Sequence, residues 1–386
     1  MMPIRAFRVP ATIQAGVGAA ALTGAEVKRL GAKSALLITD KFLLDSGTVQ
    51  PVLDSLKEAG IGVEIYAGVD KEPTLQHVAE SLALLHKAGC RAIIGCGGGS
   101  PIDVAKAVSV MATNPGRIQD YMGADKIPNP GVPVIAVPTT AGTGSEATLF
   151  TIITDTERDV KMLIGSPWLM PAVAVVDPAL TMKMPKGITA ATGVDALTHA
   201  IEAYVSKKAQ PMSDMVALEA MKLIFTHLPT AWSQPDNAEA RAKTLHGALL
   251  AGMAFSNASV ALVHGMSRPV GALFHVPHGV SNAALLGVVM DFSLSGNYAR
   301  YADVARAIGV QVKGSDKEVA EAGAAKVREL VRYLEIPGLE KLGVSKDKLD
   351  PLVGKMADDA IASGSPGNNP RIASKDEIIK LYYEAL

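Results

Sequence analysis

The apolar pattern of this chain changes character once along its length, and that change constrains the fold more than any other feature. In the first half, short β-rich runs alternate with segments of helical spacing. Residues 34–40, 62–66, 91–95, 132–137 and 172–177 read as strands, and 52–59, 77–87 and 101–111 as helices. Alternation of this kind implies a parallel sheet covered by helices on both faces. From about Gly187 the β-rich runs vanish. Apolar residues then recur at three- and four-residue spacing, predicting helices over 188–206, 212–227, 238–257, 260–273, 279–292, 298–307, 316–334, 346–361 and 375–386. The boundary falls near Met184-Pro185, so an α/β domain over 1–185 and an all-helical domain over 186–386 are expected.

Composition narrows the function classes. Of 386 residues, 48% are apolar, and 37 basic against 38 acidic residues leave a net charge of −1, which removes the basic footprint of a nucleic-acid or membrane-surface binder. The opening MMPIRAFRVPATIQAG breaks any apolar stretch with two arginines and a proline, so no secretory signal is expected. The most apolar windows, such as 169–176 and 258–263, fall short of the ~20 residues of a membrane span. Cys90 and Cys96, the two cysteines, fit neither a disulfide framework nor a zinc pattern. A soluble protein of the reducing cytoplasm is expected.

Two loops carry nucleotide-binding chemistry. Gly95-Cys-Gly-Gly-Gly-Ser-Pro-Ile-Asp103 follows a strand and opens a helix, with Pro101 suited to the first helical position. Its glycines let backbone N–H groups approach an anion at the positive helix terminus. It is not the GxGxxG fingerprint, and a plain tight turn is the alternative, although three consecutive glycines exceed what a turn needs. Pro138-Thr-Thr-Ala-Gly-Thr-Gly-Ser-Glu146 follows another strand and adds hydroxyls and bare backbone. Two such loops at the ends of parallel strands form the crevice where nucleotides bind in open α/β sheets. Asp40, ending an earlier strand, has the chemistry to accept from the ribose 2′-OH of NAD and to repel the 2′-phosphate of NADP; a turn or cap role is equally open.

The sharpest signal is a metal constellation. Asp195 and His199 stand at i and i+4 on one helix face, within reach of a single ion. His264 and His278 follow with thirteen residues between them. One oxygen and three nitrogens suit Zn, Fe(II), Mn, Co or Ni. A local hydrogen bond between Asp195 and His199, with the later histidines as caps, is the bland alternative. The density of histidine favours the metal: three of eight lie within the fifteen residues 264–278. The third of these, His275, is open as an alternative ligand, a proton carrier or a hydrogen-bonding residue.

Together these residues resemble the iron-containing, or group III, alcohol dehydrogenase family. The resemblance runs through Gly97-Gly-Gly-Ser-Pro-Ile-Asp103, the 138–146 loop, Thr192-Gly-Val-Asp-Ala-Leu-Thr-His-Ala-Ile-Glu-Ala-Tyr204, Ala251-Gly-Met-Ala-Phe-Ser-Asn-Ala258, residues 264–279 and Asn369-Pro-Arg371, in family order over nearly the whole chain. It implies a Rossmann-like dinucleotide-binding domain and a helical metal-binding domain, an architecture shared with dehydroquinate synthase, with NAD(P) and the metal meeting in the cleft. The metal ligands it implies are Asp195, His199, His264 and His278, with iron the expected ion. Gly97, Gly98, Gly99, Ser100 and Asp103, with Thr139, Thr140 and Thr143, would hold the phosphates and nicotinamide half of the cofactor. Asp40 matches the NAD-selecting acidic position and Lys161 a basic residue near the cofactor. At least a homodimer is implied.

Two positions depart from the family pattern. Arg268 stands four residues after the third ligand, where relatives often carry a histidine proposed as a proton relay; an arginine with pKa above ~12 cannot be a base. Glu72-Pro-Thr74 replaces a common Asn-Pro-Thr and puts one adenine-side contact in question. The resemblance implies reversible hydride transfer between small primary alcohols and NAD; because Arg268 departs from the family's relay, the proton is expected to leave by another route, through His275, a cofactor ribose hydroxyl or bound water. Arg268 also suits a substrate carboxylate, phosphonate or sulfonate, against the alternative that it bonds a protein carboxylate or helix end. A dehydroquinate synthase-like lyase would demand a dense basic cluster, and only Arg268 and Lys161 are evident. A nucleotide-binding protein without turnover would not need four ligands.

Overall fold

The computed structural model describes residues 4–386 except 71 and 159. They form two compact units: an α/β unit over Arg8–Met184, and a helical unit of Pro185–Leu386 joined by residues 4–7. The sequence pattern assigns those N-terminal residues to the α/β part. Arg5 instead donates from its guanidinium to the carbonyls of Ala209 (2.8 Å) and Lys207 (3.3 Å) in the helical unit.

The α/β unit contains β1 (Thr12–Ala15), α1 (Thr23–Arg29), β2 (Ser34–Ile38), α2 (Lys41–Asp45), α3 (Gln50–Glu58), β3 (Gly62–Tyr66), α4 (Leu75–Ala88), β4 (Ala92–Gly97), α5 (Gly99–Met111), β5 (Gly123–Ala124), β6 (Val134–Pro138), β7 (Phe150–Asp155), β8 (Val160–Gly165) and β9 (Val173–Val176). Six strands form one parallel sheet in the order β1-β9-β6-β4-β2-β3. Side chains alternate across a strand, so each face builds its own core. Ala35 and Leu37 of β2 join Val27, Val52 and Leu56 of α1 and α3 on one face, and Leu36 and Ile38 join Val78, Leu85, Val104 and Val108 of α4 and α5 on the other. The chain winds outward from β2 to β3, returns to β4 and continues through β6 to β9. The C-terminal ends of β2, β4 and β6 therefore lie side by side where winding reverses, the place such sheets bind ligands.

β1 and a second sheet, β5-β8-β7, are absent from the sequence reading. The hairpin of β7 and β8 is closed by Asp155, whose Oδ1 accepts from the backbone of Glu157 and Arg158, a local turn signal. β1 is a four-residue edge strand, too short for a period to register.

The helical unit comprises α6 (Lys186–Val205), α7 (Pro211–Ser233), α8 (Ala238–Ala258), α9 (Leu262–Phe274), α10 (His278–Ser293), α11 (Tyr298–Ala307), α12 (Asp316–Tyr333), α13 (Lys346–Leu349), α14 (Val353–Ala362) and α15 (Lys375–Glu384). No strand follows β9 among the described residues. The helix read over 346–361 is two, because Pro351 has no N–H to donate to the preceding turn; Asp350 itself keeps helical angles, φ −47° and ψ −48°. The stretch His278–Gly296 has the length and apolarity of a membrane span, which the short windows of the sequence do not show; half of it is buried within the unit.

Candidate metal centre and nucleotide site

α6 is apolar or small around most of its circumference and is buried on nearly every side, the behaviour of a central helix. Asp195, His199 and Glu202 stand on it at i, i+4 and i+7, one stripe of a helix. α8 and α9 meet at 102°, and this bend turns α9 so that His264, in its first turn, stacks on His199 with ring centroids 4.5 Å apart. His278 opens α10, beside Gly279. A Cβ on Gly279 would lie 3.1 Å from the Ala191 carbonyl oxygen and 3.5 Å from Asp195 Cβ, so the missing side chain lets α10 begin against α6.

The result is a cluster in which Asp195, His199, His264 and His278 each offer a ligand atom within 4.8 Å of the others. Asp195, His199 and His264 are buried. Glu202, 3% exposed, completes it. Its Oε1 accepts from the Val263 backbone N–H at 2.6 Å and its Oε2 lies 2.5 Å from His264 Nδ1. A carboxylate there holds the proton on Nδ1, leaving the Nε2 lone pair for an ion. The Asn282 amide nitrogen lies 2.6 Å from Asp195 Oδ1 and 3.1 Å from both His264 Nε2 and His278 Nε2. Three acceptors thus converge on one electropositive group, the demand a cation would answer. Asn282 Oδ1 is buried with no hydrogen-bond partner among the described residues. Loss of solvent pulls the His278 pKa down to about 3, against the opposing pull of Asp195, so its imidazole is neutral at physiological pH and keeps a nitrogen lone pair. Phe255 stacks on His199 at 4.2 Å and walls that side. The donor set and its burial fit one divalent ion.

Glu202 and Asn282 escaped the sequence reading, although each carries a signal: Glu202 extends the Asp195–His199 stripe by one turn, and Asn282 stands four residues after His278. The other candidates of this unit lie outside the cluster. His275 is exposed and caps α9 in the left-handed conformation, φ 56°. Arg268 is half-buried one turn beyond His264, and makes no hydrogen bond or ion pair among the described residues.

In the α/β unit, α5 begins just past β4, with Gly98 as an N-cap that makes no side-chain capping bond. The first-turn N–H groups of α5 are therefore available to an anion. Pro101 is the third helical residue, not the first, and still lies in the turn whose N–H groups lack helical partners. Gly97 has φ 155°, and a Cβ there would meet Pro101 at 2.6 Å. Thr140 and Thr143 border Gly98 and Gly99, where added Cβ atoms would approach them to 3.5 and 3.0 Å. Thr139 donates its N–H to the Gly97 carbonyl, joining the two loops. Ser100 lies in the first turn of α5. This glycine-floored, hydroxyl-edged helix terminus fits a dinucleotide phosphate.

Asp103 faces inward. Its two oxygens accept from Ser145 Oγ (2.6 Å) and the Ile152 N–H (2.9 Å), so it anchors the second loop. Lys106, fully buried and missed in the sequence, donates to Ser145 Oγ, Thr148 Oγ1 and the carbonyls of Thr148 and Phe150; burial lowers its pKa to about 8. Lys161 pairs with Glu72 at 2.6 Å rather than standing as an unpaired cation. Asp40 caps α2, its Oδ1 accepting from the Leu43 N–H at 2.8 Å.

A nucleotide-type sheet and a buried carboxylate–imidazole cluster in one chain define a class, the nucleotide-using metalloenzymes. Comparison with known proteins narrows it. The family model for iron-containing alcohol dehydrogenase matches residues 10–178, and that for the C-terminal part of the family matches 189–386. NAD-dependent methanol dehydrogenase of Bacillus methanolicus is 38% identical over 382 residues, covering 98% of this chain and 99% of its own. 1,3-Propanediol dehydrogenase of Klebsiella pneumoniae is 39% identical, covering 98% of each. A crystal structure of a 1,3-propanediol oxidoreductase superposes with TM-score 0.97 at 39% identity over all of both chains. The chain belongs to the iron-containing alcohol dehydrogenase family and is an oxidoreductase of alcohols and aldehydes.

Proposed function

We propose that the protein interconverts short primary alcohols and their aldehydes with NAD(H), using one divalent ion, iron being the first candidate. The observation that carries this reading is the buried convergence of Asp195, His199, His264 and His278, with Glu202 fixing the tautomer of His264. When bound, the ion supplies Lewis acidity to the alcohol or carbonyl oxygen and NAD supplies the hydride acceptor. The four ligands would hold the ion, with His278 neutral over the physiological range. Asn282 would steady Asp195 through its amide N–H. The α5 terminus at Gly98, Gly99 and Ser100 would bind the cofactor's phosphates, with the hydroxyls of Thr140 and Thr143 alongside. Asp40 would accept from the ribose hydroxyl. His275 is the residue proposed to pass the alcohol proton to solvent, as Arg268 cannot accept one. Buried thiols at Cys90 and Cys96 suit a reducing, cytoplasmic setting, and family resemblance supports at least a homodimer.

The test is NADH oxidation by metal-stripped protein reconstituted without oxygen with Fe(II), Zn, Mn, Co or Ni. Turnover of short aldehydes that depends on the added ion supports the proposal. No NADH oxidation with any ion overturns it in favour of a lyase or a binding protein.

A further inference from the structure

We infer that Arg268 is a specificity-determining residue that receives an anionic group at the far end of the substrate. The favoured substrates are then short aldehydes and alcohols ending in a carboxylate, phosphonate or sulfonate. This deepens the oxidoreductase reading and rests on it. Position 268 lies one turn beyond His264 on α9, about 6 Å along the axis and on the same face. A group of that reach beside a metal ligand meets the tail of a substrate whose oxygen is at the ligands and whose chain has a few carbons.

Among the described residues, Arg268 is the one partly buried arginine of the helical unit whose guanidinium makes no hydrogen bond or ion pair. Other partly or fully buried arginines of the helical unit are engaged: Arg241 with Thr189 Oγ1 and the Pro235 carbonyl, Arg300 with Asp214 and the Tyr204 carbonyl, Arg371 with Glu377 and the Phe292 carbonyl. Arg268 makes no such bond among the described residues, although loss of solvent already opposes its charge. Glu202 is the carboxylate that favours the Arg268 charge, yet both Glu202 oxygens are committed to Val263 and His264. A desolvated guanidinium left unpaired is costly, and a bidentate oxyanion is the group that matches its fork.

The experiment compares kcat/KM of the metal-loaded protein for 4-oxobutanoate against butanal, and for two-carbon aldehydes bearing phosphonate or sulfonate against propanal. Arg268→Met and Arg268→Lys are measured beside the parent, with metal content and circular dichroism as controls. The expected result is a preference for the anionic member, which Arg268→Met lowers by 10- to 100-fold as a ratio, with Arg268→Lys between. The arms identify which oxyanion is preferred. Binding of 4-hydroxybutanoate without cofactor, read as a thermal shift, should weaken in Arg268→Met by a similar factor. A ratio that moves less than threefold overturns the inference. So does a rise in KM for NADH with the ratio intact, which would assign the guanidinium to the cofactor. Turnover of neutral aldehydes alone, at a ratio insensitive to Arg268, sinks this inference and leaves the oxidoreductase reading standing; no turnover of any aldehyde sinks both.

Discussion

Replacing Glu202 by glutamine tests how the metal centre is held. The carboxylate receives two N–H donors, Val263 N at 2.6 Å and His264 Nδ1 at 2.5 Å. An amide of the same shape keeps one acceptor oxygen and puts an NH2 where the other stood. If the oxygen stays on Val263, the NH2 faces His264 Nδ1 and favours the tautomer with its proton on Nε2, which has no lone pair for an ion. If the oxygen turns to His264, the Val263 N–H at the start of α9 is left buried against a donor. Either way one hydrogen bond to a charged acceptor is lost, about 1.5–3 kcal/mol. In metal affinity that is roughly 10- to 150-fold, in line with the 10–100-fold typical of groups behind metal-bound histidines. The assay is competitive titration of Zn(II), or Fe(II) without oxygen, between protein and a chromophoric chelator, with apo-protein melting as the folding control. A Glu202→Gln variant that folds normally and binds the ion within threefold of the parent would refute the argument.

Three further outcomes are expected. Stripping the ion with a chelator should lower the melting temperature of the parent and leave that of Asp195→Ala unmoved, since binding only to the native state stabilises by mass action; equal shifts would place the ion elsewhere. Asp40→Ala should lower the NADH-to-NADPH ratio of kcat/KM tenfold or more and cost about 1 kcal/mol of urea-measured stability through the lost α2 cap; an unchanged ratio would confine Asp40 to capping. Burial raises the Glu146 pKa from 4.5 to about 7, so the folded state holds a proton that the unfolded chain has released. That contribution is present below pH 4.5 and lost as pH rises through about 7. Glu146→Gln should therefore flatten the fall in urea-measured stability between pH 5 and 8, by up to about 3 kcal/mol; parallel profiles would refute it.

Much of this was legible in order along the chain, because the signals are local. Strand alternation, the glycine run before α5 and the i, i+4 pair on α6 all follow from backbone periods and residue chemistry. Glu202 and Asn282 also sit at helical spacing from His199 and His278, but a carboxylate or amide announces no role until its partner is known. Asp103 and Lys161 show the converse. Their residue types suit the cofactor, and the fold also binds them to Ser145 and Ile152 and to Glu72, contacts between residues 42 to 89 positions apart that no local pattern announces.

The sequence by itself determined the two-part architecture, five of the six strands of the parallel sheet and the four metal-ligand candidates, since periodicity and side-chain chemistry are carried by each short segment alone. Only the tertiary structure decided which donors meet which acceptors: that Glu202 sets the tautomer of His264, that Lys106 is buried on four oxygens, and that Arg268 meets none among the described residues. Pairing depends on the bend between α8 and α9 and on the close start of α10 at Gly279. These set distances between residues far apart in the chain, and no local period encodes them.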